Sequence, residues 1–220
     1  DSSTIVKKKK SLNLIFLSIK TNIVNGFNAS IDNKNILFII LFSSIVFSVL
    51  RAGFNFYQPI LESVDINLVF FGYLLFFFNI IAAITSYFFS KISNNFLSNN
   101  SLIYLTIVLL LLSGITLFNF TSYTYVIIAF LIHQIIRGYY LIYTTFAINI
   151  EIPINHESRT TILSFKNFFT MLLATITMSI SGVLVSITNL HYSFIIISIF
   201  GGIFIFCILL MRSKKRKQKL

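Results

Sequence analysis

Seven polar side chains fall on two narrow helical faces of an otherwise apolar chain. The stretch LIHQIIRGYY (131–140) sets His133, Arg137 and Tyr140 along one line of an α-helix, and Thr144 extends it; at 100° per residue the four lie within about 60° of one another. Upstream, RAGFNFYQ (51–58) does the same with Arg51, Asn55 and Gln58. A guanidinium presents five donors in a fixed fork and keeps its charge, while amides both donate and accept. This is chemistry for holding an anion or a hydrogen-bonding solute. His133 adds either a proton relay or a neutral hydrogen-bonding group. The inventory does not make an enzyme: there are six acids, three histidines and neither a G-x-S-x-G nor an H-E-x-x-H run, so no paired-carboxylate or zinc-hydrolase centre can be assembled. Cys207 is the lone cysteine, which excludes an internal disulfide and a Cys-based metal site. No catalytic residue, cofactor or metal is expected.

The solvent around these residues follows from composition. Of 220 residues, 56% are hydrophobic and 10% charged, with 26 Phe, whereas soluble domains carry roughly 25% charged residues. Long charge-free runs separate Asp65 from Lys91, Lys91 from Arg137 and Lys166 from Arg212, and each can hold the ~20 residues that cross a bilayer. The last two are long enough to fold back once, at NFTSYT (119–124) and TNLHYS (188–193). The expected fold is all-α, with six spans near Ile36–Phe56, Asn67–Ser90, Leu102–Leu117, Tyr125–Ile150, Ile162–Ile187 and Tyr192–Met211. The chain then divides into a basic linker (1–35) with a short interfacial helix at LNLIFLSI, a six-helix membrane domain (36–211) and a basic tail (212–220). Fifteen of the 17 Lys and Arg residues fall on one side of this arrangement, which the positive-inside rule makes cytoplasmic for both termini. The net charge of +11 therefore reports topology and contact with anionic lipid heads, not nucleic-acid binding. The Asn, Ile, Lys and Phe bias points to an AT-rich bacterial genome and hence to a bacterial plasma membrane.

Polarity also varies from span to span. Span 2 carries Gly72, Asn79, Ala83, Ser86 and Ser90 on one face, and span 5 carries Ser164, Thr175, Ser179, Gly182 and Ser186; such faces let a second helix approach closely. Spans 3 and 6 are nearly uniform and read as peripheral. The order polar, intermediate, apolar runs through spans 1–3 and again through spans 4–6, and because three is odd the second triplet crosses in the opposite sense. This is the 3+3 inverted-topology repeat on which secondary transporters are built. At 1.5 Å per residue each arginine lies roughly 20 Å from the surface where its span begins, placing Arg51 in the outer and Arg137 in the inner half of a ~30 Å core. An arginine at that depth costs ~2.5–3.5 kcal/mol, yet no acid lies between Asp65 and Glu151. The counter-charge is a substrate anion or comes from another chain or half; alternatively the arginines bond to carbonyls and orient the helices.

RAGFNFYQPIL with the following GYLLFFFNIIAAITSYFFSKI, and IRGYYLIYTTFAINIEIPINHESRTTILSFKN further on, resemble helices seven and eight and helices ten to eleven of major facilitator superfamily transporters of the drug-efflux-like kind. Arg137-Gly138, Pro153, Arg159 and Ser164 are the matching positions, and order and spacing agree over essentially the whole chain. The family's G-x-x-x-D-R-x-x-R-R loop is represented here by Lys91 alone. The resemblance implies alternating access of two six-helix halves about a cavity lined by the first helix of each triplet, with this chain the C-terminal half and a missing N-terminal six-helix half as its partner. Arg51, Asn55, Gln58, His133, Arg137, Tyr140 and Thr144 are the expected substrate pathway, and Tyr57 and Pro59 shape its outer end. The rival reading is a six-span channel subunit or scaffold that assembles through its small-residue faces.

Overall fold

A computed structural model describes residues 20–21, 24, 27–28, 30–92, 100–119, 122–152 and 159–217. Among them lie six α-helices, α1 (Lys34–Ser63), α2 (Val69–Ser90), α3 (Ser101–Thr116), α4 (Tyr123–Glu151), α5 (Arg159–Ile187) and α6 (Leu190–Lys217), and one 3₁₀ turn, Leu117–Asn119, that continues α3. The described chain is thus all-α. Five helices, all but α3, are long and apolar enough to cross a membrane, the construction of a membrane-embedded protein. The third expected span is the exception: its 16 α-helical residues rise only about 24 Å. LNLIFLSI, Lys7–Lys10, Pro153 and His156 lie outside the described residues.

Asparagines punctuate the bundle. Asn33 caps α1 by accepting from the backbone N–H groups of Asn35 (3.0 Å) and Ile36 (3.3 Å), and Asn189 accepts from Tyr192 N (2.9 Å) at the start of α6; both satisfy donors that a helix start leaves unpaired. α1 ends where Asp65 adopts φ 58°, a left-handed conformation that Asp tolerates better than most residues. The helix is longer than its expected span and runs through Pro59 to Ser63. Pro59 has no N–H to give the Asn55 carbonyl, the ordinary i−4 acceptor.

Packing does not follow chain order. α1 lies against α4, α5 and α6, α4 against α2 and α3, and α3 against α6. Close pairs set the directions: Phe42 meets Tyr143 and Tyr57 meets Phe130, so α1 and α4 are antiparallel, whereas Phe78 meets Phe130 and Phe89 meets Tyr139, so α2 runs parallel to α4. Glycines mark the tight seams. A Cβ on Gly138 would fall 2.6 Å from the Ala82 carbonyl oxygen of α2, one on Gly53 2.7 Å from the His133 ring, and one on Gly201 against Val49.

α3 and α6 are not peripheral. They pack on each other through Gly114 and Gly202, and Leu102, Ile103, Leu110 and Ile205 are fully buried. A uniformly apolar helix can face lipid or protein, and hydropathy alone does not separate the two. The least buried helices are α2 and α5, whose small-residue faces point outward: Gly72, Asn79, Ala83, Ser164, Thr175, Ser179, Gly182 and Ser186 are all exposed.

At one end of the bundle Arg212 lies over the Phe38 ring (4.5 Å) and donates to Asn35 (3.3 Å) and Asn100 (3.5 Å). Arg159 donates to Asn149 Oδ1 (2.6 Å) and to the carbonyl of Ile152 (3.2 Å), a cation at the C-terminal end of α4 where the helix dipole favours it. At the other end Ser63 pairs with His191 (3.1 Å).

Candidate functional site

The C-terminal half of α1 stands away from α2, and a cavity of about 500 Å³ fills the gap. Its α1 wall carries Phe54, Asn55, Tyr57, Gln58, Pro59 and Glu62; its α2 wall carries Phe71 and Leu75. The volume lies within the ~300–1,000 Å³ typical of small-molecule pockets. Gln58 Nε2 donates to Glu62 Oε1 (2.9 Å), an i,i+4 pair that holds the carboxylate at the rim nearest the C-terminal end of α1.

Two arginines lie beyond the other end of this lining. Arg51, one turn below Asn55 on the same stripe of α1, is exposed and has no hydrogen-bond or ion-pair partner among the described residues. Asn79, one turn below Leu75 on α2, accepts a hydrogen bond from Arg137 Nη2 of α4 and donates to the Leu75 carbonyl (2.8 Å). Arg137 is half-buried and has no carboxylate partner among the described residues.

Helix register corrects the expected depths. Gly53 faces His133 and Tyr57 faces Phe130, so in this antiparallel pair Arg137 is level with position 49, about 3 Å along the axis from Arg51. The two arginines share a depth near the middle of the bundle. Counting from span ends misplaced them because α1 and α4, at 30 and 29 residues, are longer than a ~30 Å core requires.

Of the seven residues expected to line one pathway, Asn55 and Gln58 line the cavity, and Arg51 and Arg137 border it. His133, Tyr140 and Thr144 point into the bundle. His133 is fully buried, stacked on Phe194 of α6 at 4.8 Å and pressed against Gly53; neither ring nitrogen has a hydrogen-bond partner among the described residues. Thr144 is fully buried and donates to the Leu141 carbonyl (3.2 Å), which satisfies its hydroxyl locally. Tyr140 is buried as well. A helical wheel shows which residues share a face, not what the face meets.

Three contributors fall outside the expected seven. Asn79 fixes Arg137, Tyr57 accepts from Gln134 Nε2 (2.9 Å) while forming part of the cavity wall, and Glu62 sets the charge at the mouth. Asn79 carried a signal, as the polar outlier on the small-residue face of α2. Gln134 carried none, because it sits about 100° from the polar line of its helix. Among the described residues no three His, Cys, Asp or Glu side chains come together; the side chains that do meet here supply charge, hydrogen bonding and aromatic contact. No family model, curated protein or solved structure matches the chain.

Proposed function

We propose that this chain is the C-terminal six-helix half of a secondary transporter of the major facilitator kind, moving a small solute across a bacterial plasma membrane by alternating access. The observation that carries the reading is the pairing of helices. α1 packs on α5 as α4 packs on α2, and α1 on α6 as α4 on α3; exchanging helices 1, 2, 3 for 4, 5, 6 turns each of these pairings into its counterpart, and the lighter α5–α6 contact is the exception. With α1 and α4 antiparallel, that exchange has the sense expected of the inverted 3+3 repeat of transporter folds, which supports the reading.

Two further features support it. α3 with its 3₁₀ turn extends about 30 Å, taking 1.5 and 2.0 Å per residue, which suffices for a sixth span. Lys34, Lys91, Arg159 and Arg212 belong to one end of the bundle, and Glu62 and Asp65 to the other, the distribution expected when both termini are cytoplasmic. The exposed polar and small residues of α2 and α5 then meet the N-terminal six-helix half, since such faces are costly against lipid. On this reading the cavity between α1 and α2 becomes one wall of the central pathway, with Arg51, Asn55, Gln58 and Arg137 as its polar contacts.

The open α2 and α5 faces equally suit a six-span channel subunit or scaffold assembling with copies of itself. Transport in proteoliposomes by the full-length protein separates the readings. A transporter shows saturable solute counterflow that Arg51→Ala and Arg137→Ala each reduce; wild-type flux in both variants removes the arginines from the mechanism, and flux linear in solute concentration favours a channel.

A further inference from the structure

The cavity is polarised along its length. Glu62 sits at the outer rim, tied to Gln58, while Arg51 lies eleven residues deeper on the same helix stripe, roughly 16 Å along the axis. Arg137 arrives at the same depth through Asn79. Between these ends Asn55 and Gln58 line one side, and the rest of the wall is apolar and aromatic, with Phe54, Phe71 and Leu75. Two guanidiniums at one level, with no carboxylate partner for either among the described residues, make this depth of the bundle favourable for an anion once the membrane surrounds it. Arg137 uses one of its five donors on Asn79, which leaves a fork to present to a ligand. The nearby carboxylate cannot substitute for that anion, because it is held at the far end.

We infer that the cavity takes an organic anion with an aromatic or apolar body, its anionic head held between Arg51 and Arg137 and its body lying against Phe54, Phe71 and Leu75. This rests on the transporter reading and names its substrate class. Glu62 sets the orientation, since its charge at the mouth disfavours an anionic head there and leaves the deep end as the seat for it. An organic cation of the same shape meets two like charges at the deep end.

The test is binding to the full-length protein in lipid nanodiscs, using tritiated 1-naphthoate with 1-naphthamide and 1-naphthylmethylammonium as neutral and cationic competitors of matched shape. The expected result is saturable 1-naphthoate binding, with the amide at least tenfold weaker and the ammonium weaker again. Arg51→Gln and Arg137→Gln should each weaken 1-naphthoate at least tenfold while Arg51→Lys, which keeps the charge, retains most of the affinity and confirms a folded site. Absence of saturable 1-naphthoate binding, equal or tighter binding of the ammonium, or unchanged affinity in both glutamine variants overturns the inference. Counterflow in vesicles separates it from the reading beneath: 1-naphthoate bound but never transported upholds the anion site and sinks the transporter, whereas saturable counterflow of the ammonium upholds the transporter and sinks the anion site.

Discussion

Two sets of glycines divide the molecule. Gly53, Gly114, Gly138, Gly201 and Gly202 sit where a Cβ would press on a neighbouring helix, while Gly72 and Gly182 have nothing within 4 Å of theirs. The first set lies on α1, α3, α4 and α6, which bury one another; the second lies on α2 and α5, the two least buried helices. A small residue in a membrane helix marks close helix approach, so the first set records seams this chain closes by itself, and on the proposed reading the second is where the other half seats.

Breaking a closed seam has the largest expected effect. Gly138→Leu places side-chain atoms where the α2 backbone at Ala82 stands 2.6 Å from a Cβ, and overpacking against backbone costs about 1–3 kcal/mol or more. The purified full-length variant should aggregate, read as loss of the monodisperse peak in size-exclusion chromatography. Gly182→Leu should behave differently: the chain's own bundle tolerates it and the variant remains monodisperse, but solute flux falls about tenfold, equivalent to ~1.4 kcal/mol, because the second half no longer seats. Equal damage from both substitutions would erase the distinction between the two sets.

Next in size is a change at the junction of the two regions, where α2 meets α4. Asn79→Asp gives Arg137 a carboxylate in place of an amide. A paired guanidinium is a poorer anion site, so 1-naphthoate affinity should fall about fivefold to tenfold, or ~1–1.4 kcal/mol, with a protein no less stable to heat. The smallest effect belongs to the basal clasp: Arg212→Gln removes the cation over Phe38, a contact worth about 0.5–1 kcal/mol at a partly exposed position, and should lower the thermal midpoint by a few degrees with flux retained.

Much of this could be read from residues alone, and the failures have physical causes. Charge-free runs located the helices because lipid excludes charge, and RAGFNFYQ yielded the α1 stripe of Arg51, Asn55 and Gln58 because its Asn55 and Gln58 form a cavity wall. LIHQIIRGYY misled in part. His133 and Arg137 share one face, yet 40° of rotation separates a side chain locked against Gly53 and Phe194 from one reaching Asn79. Arrangement of the helices was illegible: nothing in α3 or α6 distinguished lipid contact from their mutual packing, and depth required the α1–α4 register rather than a count from span ends.

The central claim is that the α1–α2 cavity alternates its exposure as the two halves rock. In a full-length protein stripped of other cysteines, including Cys207, single cysteines at Asn55, in the cavity, and at Thr145, exposed on the inner half of α4, are labelled with a membrane-impermeant maleimide from each side. The account predicts that Asn55→Cys reacts from outside and Thr145→Cys from inside, and that a transported solute changes the two rates in opposite directions. Rates that stay fixed, or that rise and fall together on adding solute, would contradict it.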